Sequence, residues 1–140
     1  MANSQAFCTS AKLKALAALV PPGDVLKAAL YFATASIGAA TSAYSATGEV
    51  TGAGYSAGGV TVTHASAASA SGTTAIWTPT ASFSWPGLTA AAFDALLLYN
   101  SSDSNSAIET FTFGSQTIVA GTFLLTMPVN DASNALARIG

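Results

Sequence analysis

Charge is what this chain has least of. Only 7% of its 140 residues are Asp, Glu, Lys or Arg, against about 25% in an average soluble protein. The cations are rarer still in the middle. Lys12, Lys14 and Lys27 lie near the start, Arg138 lies near the end, and no Lys or Arg stands between. Phosphate contacts from Lys and Arg dominate nucleic-acid affinity, so no nucleic-acid partner is expected. The same lack disfavours an anionic membrane surface. No run of 18 apolar residues occurs, which predicts no membrane-spanning helix and no membrane partner. The single cysteine, Cys8, excludes a disulfide within the chain and a cysteine zinc cluster.

What replaces charge is Ala, Ser and Thr. A soluble monomer ordinarily keeps apart from its neighbours through a mixed charged surface. A chain this poor in charge is expected to have much of its surface covered by partners, including a second copy of itself in a homodimer. Its length fits one domain that buries about two-thirds of its unfolded surface. The expected division is a helical arm over 1–22 and a β body over 23–140. "ALAALV" follows two lysines as in a secretion signal, but Pro21, Pro22, Gly23 and Asp24 interrupt the apolar stretch, so the N-terminus reads as part of the mature chain.

Residues 4–19 read as a helix, with Leu13, Leu16, Ala17 and Val20 on one stripe and Asn3 or Ser4 as cap. Pro21 ends it. The period then changes to two. Segments 25–33 and 93–99 are apolar on both faces, as central strands are. Further strands are predicted over 60–65, 73–78, 81–85, 107–113, 116–120 and 122–127, with Pro86-Gly87 and Gly114-Ser115 as turn signals. Residues 41–59 form a long Gly/Ala/Ser/Thr connection. Its Tyr44 and Tyr55 suggest that it is pinned to the body, because tyrosine rings bury well while their hydroxyls still find partners. "HASAASASG" reads as a strand end running into a loop. The sum is a mainly β, antiparallel sandwich or jelly-roll-like fold of about eight strands with one short N-terminal helix.

"GYSAG", Gly54 to Gly58, fits the G-x-S-x-G of a serine hydrolase. A nucleophile elbow turns from a strand into a helix and is followed by an acid and then a histidine. Here a β-branched strand pattern follows, and the only histidine, His64, is not preceded by an acid after Ser56. The expected reading is a tight loop whose glycines allow positive φ. The carboxylates Asp24, Glu49, Asp94, Asp103, Glu109 and Asp131 form no close pair. "NSSDSNSAIE" has oxygens for calcium but lacks the glycine and acid spacing of an EF-hand loop, and reads as a polar turn. The glycine-rich run lacks the lysine of a phosphate loop. His64 reads as a partly buried structural residue and Cys8 as a small packing residue. Trp77, Phe83 and Trp85 read as core before they read as a sugar-stacking platform. Asn100-Ser101-Ser102 is a glycosylation sequon that matters only on a secretory route. No catalytic residue, metal ligand or cofactor is expected.

"TGEVTGAGYSAGGVTVT", "SGTTAIWTP", "FDALLLYN" and "FGSQTIVAGTFLLTMP" resemble small virion proteins of tailed bacteriophages, over almost the whole chain. The likeness is greatest to a capsid cement, or decoration, protein with a jelly-roll-like fold. The resemblance implies attachment to the outside of an icosahedral capsid, with the major capsid protein as partner. It implies dimers that bridge neighbouring capsomers, and synthesis in the bacterial cytoplasm before assembly into the virion. It transfers no catalytic residues. The competing expectations are a tail- or neck-associated virion protein, a carbohydrate-binding β-sandwich and a hydrolase.

Overall fold

Two antiparallel sheets and a single helix organise the described residues, the mainly β class that the period-two patterning predicts. The computed structural model describes residues 3–64 and 66–140. Ala65, the last residue of the predicted 60–65 strand, lies outside them. The chain divides into two units. One takes the described residues up to Pro22 with 64–80 and 127–140; the other takes 23–63 and 81–126. Beyond Pro22 the two units interleave along the sequence.

In the first unit, helix α1 spans Thr9–Leu19 and packs against strand β4, Thr74–Trp77. Leu16 and Val20 on the predicted stripe are buried, and Leu13 and Ala17 are half-buried. The helix starts later than the predicted residue 4. Cys8 is its N-cap, in extended conformation and with no side-chain cap, and Asn3 and Ser4 lie upstream in exposed chain. Residues 3–8 are all exposed, and a helical turn without packing is marginal in water. β4 pairs with β3, Ser69–Ser71, across a two-residue turn in which Gly72 has φ +61°. On its other side it pairs with β7, Ala137–Ile139. Both three-residue strands escape the periodicity search, since neither is long enough to show alternation.

The second unit holds the larger sheet, in the order β2 (Val60–Thr61), β1 (Leu26–Phe32), β5 (Phe83–Asn100) and β6 (Ser106–Leu125). Strand β1, Leu26–Phe32, is central and apolar on both faces as predicted. β2 is only Val60–Thr61, short of the predicted strand. β5 runs unbroken over Phe83–Asn100, joining the predicted 81–85 and 93–99 segments. β6 runs over Ser106–Leu125, joining three predicted strands into one. With β3 and β7, which lie outside the expected strands, the described residues form seven strands, and five of the eight expected ones have merged into two. The reason is that the turn signals become β-bulges, which add residues to one strand and bend it without ending the ladder. Pro86-Gly87 sits between the pairs Trp85↔Phe123 and Leu88↔Gly121, with Gly87 at φ +65°. Gly114-Ser115 sits between Ala95↔Thr112 and Phe93↔Gln116. Ala92 and Ala120 take positive φ at two further irregularities. The N–H of Ala120 is satisfied by the Thr89 hydroxyl at 2.9 Å.

One face of this sheet carries Ala29, Tyr31, Ala95, Leu97 and Tyr99, with Tyr44 and Ile37 packed on them. Near the other end of the β5–β6 ribbon, Phe93 and Phe123 meet edge to face at 4.9 Å, and Trp85 and Phe113 both lie against Phe123.

Candidate functional site

The connection 41–59 is pinned, as its two tyrosines suggest, and what pins it is a buried carboxylate. Glu49 lies beside Tyr31 of β1 as an antiparallel bridge. Flanking backbone bonds hold it there: Phe32 N donates to Gly48 O and Val50 N to Leu30 O, both at 2.9 Å. The Glu49 side chain is 5% exposed. Its Oε2 accepts from the Tyr44 hydroxyl at 2.6 Å. Its Oε1 accepts from the Tyr55 hydroxyl and from Gly58 N, each at 2.7 Å. Burying a charge is unfavourable unless it is hydrogen-bonded, and three donors meet that requirement here.

The network extends to every tyrosine in the chain. Tyr99 donates to Gly58 O at 2.7 Å and its ring stacks on Tyr44 with centroids 4.8 Å apart. Tyr31 donates to Ser45 O at 2.7 Å. Tyr55 accepts from Leu30 N while donating to Glu49. Burial pushes all four hydroxyls above the ordinary tyrosine value, and the Glu49 carboxylate pushes them further; Tyr99 is raised to about 12. They are therefore held as neutral donors, suited to holding backbone in place and unsuited to taking a proton.

Glycine fits the loop against the sheet at one position above all. Gly59 has φ +79°, and a Cβ there would overlap the Ala28 carbonyl of β1. The outer side of the loop is left with Ser45, Ala46, Thr47, Thr51, Ala53, Ser56 and Ala57 exposed. Beside it opens a groove of about 420 Å³, lined by Thr34, Ser36, Thr41, Ser45 and Thr47 over the Tyr31 ring. Its walls carry hydroxyls and methyl groups and no charge. Chemically this outer side offers hydroxyl and methyl groups and no charge.

The residues singled out in the sequence fall elsewhere. Ser56 is exposed, and its carbonyl accepts from Gly59 N at 3.0 Å in a turn that leads into β2, with no helix following. His64 belongs to the other unit, where its ring stands edge-on to Trp77 at 5.7 Å. Trp77, Phe83 and Trp85 are all buried, so the stacking platform that they could form is not at the surface. Cys8 is exposed at the helix start, not packed as expected. Asn100 Oδ1 accepts from Ser102 N and Asp103 N, and its Nδ2 donates to Asp24 Oδ2 at 2.7 Å, which makes "NSSD" a polar turn. Among the described residues, no group of three or more His, Cys, Asp or Glu side chains could hold a metal ion. No described helix is long and apolar enough to cross a membrane.

Glu49 is the residue that sequence reasoning passes over. Its only signal is context: an acid in a long stretch of small residues, between two tyrosines. Comparison with family models, with curated proteins and with solved structures returns no match.

Proposed function

We propose that this chain is a non-catalytic structural protein of a bacteriophage virion, a cement protein that binds the outside of an icosahedral capsid and bridges major capsid protein subunits. The observation that carries the reading is the pinned loop 41–59. Its inner side is fixed by a buried carboxylate and four tyrosines, and its outer side offers only small apolar and hydroxyl groups. Such a surface adheres by apolar burial and hydrogen bonds and loses little entropy on contact, because it is already ordered. The sequence resemblance supplies the virion context, and the charge-poor composition supports adhesion to a partner over life as a free monomer.

The test is retention of the chain on purified virions washed at rising salt. Screening weakens exposed charge pairs, with a Debye length of about 10 Å at 0.1 M, while apolar burial persists. Bound protein is expected to change little up to roughly molar salt. Stripping at moderate salt, restored on dilution, overturns contact of this kind. Cryo-electron microscopy of the same particles separates a capsid position from a tail or neck position.

A further inference from the structure

The two sheets have four outer edges, and they are not alike. β2 exposes an edge of two residues, and β3 and β7 expose edges of three. β6 is twenty residues long. Residues 42–44 cover only its beginning, through the Ala43↔Ser106 bridge and the bond from Ala107 N to Ser42 O. From Ile108 to Leu125 no strand lies on its outer side among the described residues. An exposed edge carries a row of backbone donors and acceptors that template pairing with another chain, and proteins ordinarily guard it with Lys, Pro, bulges or shortness; β6 bulges past β5 at 108, 113–115 and 119–120, which leaves 109–112, 116–118 and 121–125 as its regular stretches. β6 has no Lys, Arg or Pro, and Glu109 is its only charged residue. It is rich in Thr, Phe and Ile, which favour pairing. Its pairing with β5 leaves it accessible: only Phe123 is buried along its length, while Val119 is 77% exposed and Leu124 is exposed too.

We propose that β6 pairs antiparallel with β6 of a second copy of this chain, about a two-fold axis, to give one continuous eight-stranded sheet. Three features select a second copy as the occupant. An antiparallel edge is complementary to itself under a two-fold axis, since each donor row meets the matching acceptor row. A strand with one charge in twenty residues sets no series of like charges against each other when it meets itself. And the pairing closes. The opposite edge of the same sheet is the two-residue β2, which offers too little ladder to add a third copy, so the product is a dimer and not a fibre. Val119 and Leu124 add apolar contact beside the seam. The pairing rests on the edge alone and holds whatever surface the protein coats.

The experiment is sedimentation of the purified full chain with hydrogen exchange across a dilution series. At tens of micromolar the mass is expected to be twice the 13.9 kDa of one chain. The β6 amides are expected to be protected, and to lose protection as dilution halves the mass. The double substitution Thr112→Lys with Leu124→Lys, at two exposed β6 positions, is expected to give a folded monomer. Ala70→Lys, on the exposed face of β3, is expected to leave the dimer intact. A monomer at tens of micromolar, or an assembly larger than two, overturns the proposal. So does a dimer that survives both β6 lysines, or one lost equally on Ala70→Lys. If the double variant fails to fold, exchange on the unmodified chain decides: β6 amides that exchange at the same rate in dimer and monomer overturn the proposal.

Discussion

Two acids in this molecule make much the same set of hydrogen bonds to opposite effect. Glu49 accepts from Tyr44, Tyr55 and Gly58 N in the loop 41–59. Asp131 accepts from Ser133 N at 2.9 Å, Asn134 N at 2.7 Å and the Asn134 side chain at 3.0 Å in the turn 131–134. The first is buried; the second is half-buried, with its carboxyl group at the surface. Around Asp131 water can replace any lost acceptor. Around Glu49 nothing in the loop replaces it, and the donors left behind bear the full penalty of burial without a partner. Reach also differs. Asp131 closes a turn within three residues, whereas Glu49 fixes Gly58, which Tyr99 of β5 grips from the other side. A count of hydrogen bonds therefore ranks Asp131, with four, above Glu49, with three, and their environments reverse that order.

Removing the buried acceptor is the strongest way to test that ranking. Glu49→Ala leaves two tyrosine hydroxyls and one backbone N–H without their acceptor, and is expected to destabilise by about 3–5 kcal/mol. Glu49→Gln keeps one acceptor oxygen and is expected to lose less. Urea unfolding of the two variants beside the parent reads both values; a Glu49→Ala protein that unfolds like the parent breaks the comparison. The loop's fit against β1 is tested next. In Gly59→Val the added Cβ meets the Ala28 carbonyl at positive φ, and overlap and strain together are expected to cost about 3 kcal/mol or more. In Gly58→Val the nearest atoms are the Tyr99 hydroxyl at 3.3 Å and Lys27 Nζ at 3.5 Å, side-chain atoms at ordinary or near-ordinary contact distance and not backbone. The expected loss there is about 1–3 kcal/mol. Equal losses at the two glycines would mean that space against β1 does not decide the difference.

The tyrosines sharpen the same contrast at high pH. Their folded values lie above the ordinary 10.0, so the fold favours the neutral hydroxyl. The stability that they contribute is fully present below about pH 10 and is lost as pH rises through their raised values, about 12 for Tyr99. Titration followed by tyrosinate absorbance is expected to show little ionisation near pH 10, then a late rise that coincides with loss of far-ultraviolet circular dichroism. An ordinary tyrosine titration with the fold intact would place these hydroxyls in water.

How much of this the sequence carries depends on how local each signal is. β1 and the second half of β5 are legible because strands buried on both faces read as unbroken apolar runs, here "LKAALYF" and "FDALLLYN". Tyr44 and Tyr55 announce a pinned loop because large rings among small residues need somewhere to go. Glu49 is not legible as the pin, since nothing near it in sequence distinguishes a buried acid from a solvated one. Its donors are assembled by the bridge to Tyr31. The merging of predicted strands into β5 and β6 is missed for a related reason: Pro86-Gly87 and Gly114-Ser115 have turn chemistry, and only the partner strand shows whether the ladder stops or bulges past them. Cys8 as helix start is missed because packing, not capping chemistry, sets where α1 begins.

The smallest effect is expected at Asp131. Its carboxyl is held below the ordinary carboxylate value, first by the Asn134 side chain and then by the backbone N–H groups of Ser133 and Asn134. A lowered value places its contribution above the unfolded pKa and removes it as pH falls through the folded one, the opposite limb from the tyrosines. Because the carboxyl group lies at the surface, solvent screens that contribution and water can take over its bonds. Asp131→Ala is therefore expected to lower the unfolding midpoint at neutral pH by far less than either loop glycine variant. That small difference should vanish in acid, where the parent carboxyl is itself protonated. The check is urea unfolding of parent and variant at neutral pH and again well below the carboxylate range. A loss matching that of Glu49→Ala, or one that persists undiminished in acid, would show that the turn 131–134 is held by something that water cannot replace, and the contrast between the two acids would collapse.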